Sequence, residues 1–287
     1  MTDETIKRLN ICAKIRQAAS DSCLMAIQKT VESKKPVPEI QFRDWWLEKL
    51  DKSDEVVSGG GWYNPPPFGI GVLFGSETNF ARVNYPTLRP KEFWPKQDSY
   101  FLKNGLGYLF ASPYSLVSGV PIIGDFGFTF YLGKNKEIID HFKKCKDIVL
   151  KLLDRVKPGI TLSELYSSSI DLFDKNNLVN NVTSTTDKLG ADIGHTIPFI
   201  NDTPEDEAKD HLYKFISKSR VFINAKENYL LTDNIAFTFE PRLTSQTDES
   251  IPMFSMHLIV MIVDGKKRIL GNFDKIFDLL GMEWLKN

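Results

Sequence analysis

Residues 122–133 read IIGDFGFTFYLG, a run of bulky apolar residues opened by an aspartate that stands between two glycines. The stretch FGFTFY has the composition of a buried strand. Asp125 admits two readings. It is a turn residue at an exposed strand end, or Gly124 and Gly127 clear space so that its carboxylate reaches inward. Two downstream stretches bear on the choice: ADIGHTIPF (191–199) and AFTFEPRL (236–243). His195 follows a glycine in a turn-like setting, and Glu240 ends an apolar strand just before Pro241. Two carboxylates and one imidazole make a donor set for a divalent ion such as Mn, Fe, Co or Zn. Taken singly, each residue is equally a turn aspartate, a hydrogen-bonded histidine or a surface glutamate, and composition alone does not unite them.

The chain has 287 residues, 42% of them hydrophobic, enough for one large core or two modest ones. Lys plus Arg is 36 and Asp plus Glu is 37, so no net field recruits nucleic acid or an anionic membrane surface. Cys12, Cys23 and Cys145 are odd in number and widely spaced, which fits reduced thiols rather than a disulfide framework or a zinc motif. The start, MTDETIKRLN, lacks the apolar core of a signal peptide, and LIVMIV is too short to span a bilayer. A cytoplasmic protein is expected.

Apolar spacing predicts helices over residues 4–31 and 39–52, the second with Phe42, Trp45, Trp46 and Leu50 on one side. SGGGWYNPPPFG interrupts regular structure. IGVLFG, FARVNYP and LGYLFAS read as short strands. A long helix follows from Lys136 and stops at Pro158-Gly159. TLSE (161–164) is a capping box that opens the next helix. Thr203 and Pro204 open another, running to about Arg220. The last third is strand-rich, with Asp264-Gly265 as a hairpin turn and a short closing helix. Helices then strands occur twice in this order, and no linker divides them. A single α+β domain over residues 1–287 is expected.

With these segments in place, GDFGFTFYLG, VKPGITLSEL, IGHTIPF and FTFEPRL together resemble the methionine aminopeptidase, prolidase and creatinase family, the pita-bread enzymes. The likeness covers nearly the whole chain. It implies two pseudo-symmetric halves of antiparallel sheet covered by helices. It also implies a two-metal hydrolytic centre with two aspartates, one histidine and two glutamates, on which Asp125, His195 and Glu240 match the second aspartate, the histidine and the first glutamate. The first aspartate belongs near Tyr114, where no acid occurs. The last glutamate falls at Met256, followed by His257. A histidine that many members use in catalysis falls where Asn84 stands.

The resemblance thus implies an incomplete metal set. One divalent cation, weakly bound by Asp125, His195 and Glu240, or none, is expected; without metal, the three would form a salt-bridged trio. Trp62 and Tyr63 in GWYNPPPFG, with Asn84 and Arg242, are the candidate substrate-binding residues, although a packed loop and a structural arginine are the competing readings. Three functions are compatible: a binder of peptides or small molecules without peptidase activity, a mononuclear hydrolase of peptide or amide C–N bonds, and a metal-free hydrolase acting through His195. The first is preferred. Pairing into a homodimer is left open by the sequence.

Overall fold

The computed structural model describes residues 3–198 and 211–286. Helix α1 (Asp3–Glu32) turns Leu9, Cys12, Ile15, Ala19, Cys23 and Ala26 inward at steps of three and four. It packs on α2 (Glu39–Leu50), whose Phe42, Trp46 and Leu50 are buried. The Trp46 indole N–H finds its partner in the Ala19 carbonyl at 3.2 Å.

Strands β1 (Ile70–Gly75), β2 (Leu106–Ala111) and β5 (Phe126–Tyr131) form an antiparallel sheet in the order β1-β2-β5, with a hairpin of β3 (Tyr114–Val117) and β4 (Val120–Ile123) beside it. Every residue of β5 is buried, as its unbroken apolar run requires. Full burial of each of its phenylalanines is worth about 1.5–3 kcal/mol.

The second half repeats the scheme. Helices α3 (Lys136–Asp154) and α4 (Leu162–Asp174) precede β6 (Leu178–Asn180). A described helix α5 (Leu212–Ser219) leads to β7 (Ile235–Phe239), β8 (Arg242–Ser245), β9 (Phe254–Ser255), β10 (Leu258–Val263) and β11 (Lys266–Leu270), and α6 (Asp274–Leu280) follows. β7, β10 and β11 form a second three-stranded antiparallel sheet, and β6, β8 and β9 a third. The two helix pairs and two main sheets make the α+β pita-bread arrangement.

Local signals act where the sequence placed them. Thr161 caps the Glu164 amide at 3.2 Å, while Glu164 accepts from the Thr161 amide at 2.7 Å. Asp264 and Gly265, both at positive φ, turn β10 into β11.

Two expectations need correction or placement. FARVNYP is not a strand: the amides of Val83 and Asn84 both bond back to the Phe80 carbonyl, which curls the segment into turns. His141 on α3 is buried against Cys145. The Thr203 cap lies outside the described residues. Among the described residues no helix is long and apolar enough to cross a membrane.

A main seam between the two halves runs along β5. The His257 amide donates to the Gly127 carbonyl at 2.8 Å and the Ser255 amide to the Thr129 hydroxyl at 3.0 Å, so β5 lies beside the β9 segment. The candidate site sits at this seam.

Candidate functional site

The two glycines around Asp125 serve different neighbours. A Cβ on Gly124 would lie 2.5 Å from the Ile15 side chain and 2.9 Å from the Arg16 amide, so Gly124 lets α1 approach the backbone. A Cβ on Gly127 would meet the Tyr108 hydroxyl at 2.8 Å and the His257 ring at 3.3 Å. Asp125 itself points inward and is 2% exposed. Its Oδ1 accepts from the Trp62 indole N–H at 2.7 Å. Behind it, the buried Arg16 guanidinium donates to the carbonyls of Asp125, His257 (2.6 Å) and Gly271 (2.8 Å).

His195 lies on an extended segment pressed against β7. The Thr238 amide donates to the His195 carbonyl at 2.7 Å, and the Ile197 amide to the Ala236 carbonyl at 2.8 Å. Contact is so close that a Cβ on Gly194 would fall 2.1 Å from the Thr238 carbonyl oxygen, at a φ of +145° that favours glycine. His195 Nδ1 stands 3.2 Å from the Thr196 carbonyl, an acceptor, which assigns the ring proton to Nδ1. Nε2 is left with its lone pair toward Asp125 Oδ2 at 3.7 Å and Glu240 Oε1 at 3.4 Å.

Glu240 leaves β7 with its amide on the Ile193 carbonyl at 2.9 Å. Its Oε1 accepts from the Thr238 hydroxyl at 3.2 Å, and its Oε2 lies 2.9 Å from His257 Nδ1. His257 Nε2 in turn meets the Tyr108 hydroxyl at 2.9 Å. A carboxylate–imidazole–phenol chain thus runs from the cleft into the core.

Trp62, Tyr63 and Arg242 line the same cleft, whose interior volume is about 70 Å³. Arg242 also stacks over Tyr85 and donates to the Pro86 carbonyl. Asn84 does not reach the cleft. Its Oδ1 accepts from the Met253 amide at 2.8 Å and its carbonyl accepts from Asn181, so its role is structural. Tyr114 packs against the smaller core.

Met256 faces a separate cavity with Val149, Leu258 and Phe277, and His257 is the residue of that segment turned to Glu240. Met256, where the resemblance places the last glutamate, is thus turned away from the cleft, because neighbouring residues of an extended chain point to opposite faces.

Two further cleft residues escaped the sequence reading. Asp192, three residues before His195 within the quoted stretch, is buried at the wall, as is Arg220. The Arg220 guanidinium lies between the rings of Trp62 (4.5 Å) and Phe222 (4.9 Å) and donates to the Thr186 hydroxyl at 3.0 Å.

Burial governs the charge states. It pushes the Asp125 carboxyl up to about 7, with the Glu240 charge adding, against the Trp62 hydrogen bond. Asp192 is pushed up to about 7 by burial and by Glu240. Burial, helped by Arg220, drives His195 down to about 3. Burial alone would raise Glu240 too, but His257, His195 and Arg242 hold it well below the usual carboxylate range. Glu240 is thus the anion, His195 is neutral, and Asp125 and Asp192 are poised to exchange a proton with a bound ligand near neutral pH.

The model of metallopeptidase family M24 matches residues 119–263, half of the chain, and that interval contains Asp125, His195, Glu240 and His257. This chain belongs to metallopeptidase family M24. Solved structures of similar fold include prolidase from Pyrococcus horikoshii OT3 (14% identity, TM-score 0.61, 92% of this chain and 62% of that one). Others are X-Pro aminopeptidase from Thermotoga maritima MSB8 (14%, 0.60, 94% and 62%) and aminopeptidase P from E. coli with the inhibitor Pro-Leu (11%, 0.59, 98% and 59%). The chain spans about three fifths of the length of these structures. No curated protein matches it.

Family membership implies a divalent-metal centre, and the donors do not fit one as they stand. Among the described residues, no group of three or more His, Cys, Asp or Glu side chains is set to hold a metal ion. The physical reason is occupancy and charge. Trp62 holds one oxygen of Asp125, Thr238 donates to one oxygen of Glu240, and His257 Nδ1 crowds the other at 2.9 Å. Two guanidinium groups, Arg220 and Arg242, line the space a dication would share.

Proposed function

We propose that this member of the family binds a short peptide or a small molecule in the Asp125–His195–Glu240 cleft and is not a two-metal peptidase. The observation that carries this reading is that protein groups crowd the carboxylates: the Trp62 indole N–H holds one oxygen of Asp125 at 2.7 Å and His257 Nδ1 lies 2.9 Å from one oxygen of Glu240. A two-metal mechanism needs carboxylates free to bridge and clamp ions, and neither the Tyr114 nor the Met256 position supplies one.

The cleft retains what recognition needs: aromatic walls from Trp62, Tyr63, Phe110 and Phe222, hydroxyls from Thr183 to Thr186, and the two arginines. The related aminopeptidase P was solved with the inhibitor Pro-Leu, which supports a short peptide as the ligand class. The competing reading is a hydrolase with one weakly bound Mn, Co, Fe or Zn on Asp125, His195 and Glu240.

Calorimetry with a set of dipeptides, run beside peptide-cleavage assays in saturating Mn²⁺ and Co²⁺, separates the two. Binding that persists in chelator, without turnover, is expected. Cleavage that Asp125→Asn abolishes would establish the hydrolase instead.

A further inference from the structure

His195 Nε2 faces Asp125 Oδ2 and Glu240 Oε1 with only the Thr238 hydroxyl donating to the Glu240 oxygen among the described residues, an arrangement that nearby positive charge stabilises. In a metal enzyme a dication supplies it. We propose that Arg220 is the resident cation of this site, standing in electrostatically for the metal, and that its removal exposes a single divalent-cation site on Asp125, His195 and Glu240. The inference rests on the reading of the cleft as one that holds no metal in the native protein.

Three observations place Arg220 in this role. It is 7% exposed and lines the cleft with all three residues and with Asp192. Its guanidinium stacks on Trp62, the same indole whose N–H occupies Asp125 Oδ1, so the arginine also braces the donor that blocks this oxygen. Its Nε has no hydrogen-bond partner among the described residues, and its Nη2 is spent on Thr186 rather than on a carboxylate. Among the described residues this buried guanidinium forms no close ion pair, so it contributes through its field, and the field of one fixed positive charge repels an incoming dication throughout a cavity of this size.

The Nε2 separations of 3.4 and 3.7 Å from the two carboxylate oxygens are close to the roughly 3.4 Å between ligands of a tetrahedral ion with bonds near 2.1 Å. Charge and the occupied oxygen of Asp125 are the obstacles, and both trace to the Arg220–Trp62 stack. Arg242 is held apart by Tyr85 and the Pro86 carbonyl, so it remains when Arg220 is replaced and does not brace Trp62.

The test is a titration with Co²⁺, followed by visible absorption and by calorimetry, on the parent, Arg220→Met, Arg220→Gln, Arg220→Lys and the double variant Arg220→Met/Asp125→Asn. Arg220→Gln retains a donor for Thr186 and guards against simple failure to fold, which near-ultraviolet circular dichroism of Trp62 checks. The two neutral variants are expected to bind one Co²⁺ at least about tenfold more tightly than the parent. Arg220→Lys should stay close to the parent, and the added Asp125→Asn should remove the gain. Folded neutral variants that bind no better than the parent would overturn the role of Arg220 while leaving the proposed function intact. One tightly bound ion in the parent itself, lost in Asp125→Asn, would overturn both.

Discussion

Glu39 and Asp125 are both sealed inside the protein, at 0% and 2% exposure, and their surroundings differ in kind. Glu39 receives four hydrogen bonds: two from Arg82 at 2.9 and 3.0 Å, one from the Phe74 amide at 2.6 Å and one from the Lys96 amide at 2.9 Å. Asp125 receives one on its side chain, from Trp62, and turns its other oxygen to a histidine lone pair. A carboxylate whose acceptors are all used is a rivet. One left short of donors is held ready for something that is not part of the chain.

The largest effect that would sharpen this contrast is at the satisfied carboxylate. Arg82→Met should destabilise the protein by about 3–5 kcal/mol in urea unfolding, since it strands a buried charge. A loss below about 1 kcal/mol would show that Glu39 takes up a proton instead and that the distinction is overdrawn.

Next comes Trp62→Phe. It removes the only donor to the Asp125 carboxylate among the described residues and loosens Arg220, and should cost about 1–3 kcal/mol in the same assay. The Asp125 carboxyl should then titrate still higher, as followed by carboxyl NMR, because the bond that lowers it is gone.

Asp125→Asn tests the pH dependence. The Asp125 carboxyl is raised from 3.8 to about 7 in the folded protein, so the native state holds more protons than the unfolded chain between those values. Its contribution to stability is complete below about pH 4 and is lost as pH rises through about 7. Asp125→Asn should therefore gain on the parent by up to a few kcal/mol between about pH 4.5 and about pH 8. The depressed histidines, His195 and His141, act in the opposite sense, but in both proteins, so the difference between the two isolates the aspartate.

The smallest effect is expected at Asn84→Ala. It should cost about 1 kcal/mol for the lost bond to the Met253 amide and leave ligand binding unchanged. A weakened ligand affinity would return Asn84 to the site.

The fold and the three central residues were legible because their signals are local. The Thr161–Glu164 capping box, the Asp264-Gly265 turn and the unbroken apolar run of β5 each declare themselves within a few residues. Family likeness then joined Asp125, His195 and Glu240, which spacing alone could not. What escaped was set by register and long-range packing. Met256 turns away from the cleft and His257 toward it because a one-residue step along an extended chain reverses the face. Arg220 and Asp192 become site residues only when Trp62 and Glu240 arrive from distant parts of the chain. Asn84 sat in a segment whose Val83, Tyr85 and Pro86 suggested a strand, and backbone bonds to Phe80 curled it away.

Arg16 ties together the carbonyls of Asp125, His257 and Gly271, which lie 109, 241 and 255 residues from it in sequence. One side chain on the first helix is therefore the keystone of an arch whose stones come from both halves of the molecule. Until that helix docks, Asp125 and His257 are joined only through the strand bonds of β5 to the β9 segment, and the cleft lacks the clamp that fixes its shape. Recognition at the seam is thus contingent on the chain's first helix, and a protease nick or truncation there would silence the site while much of the strand architecture still stood.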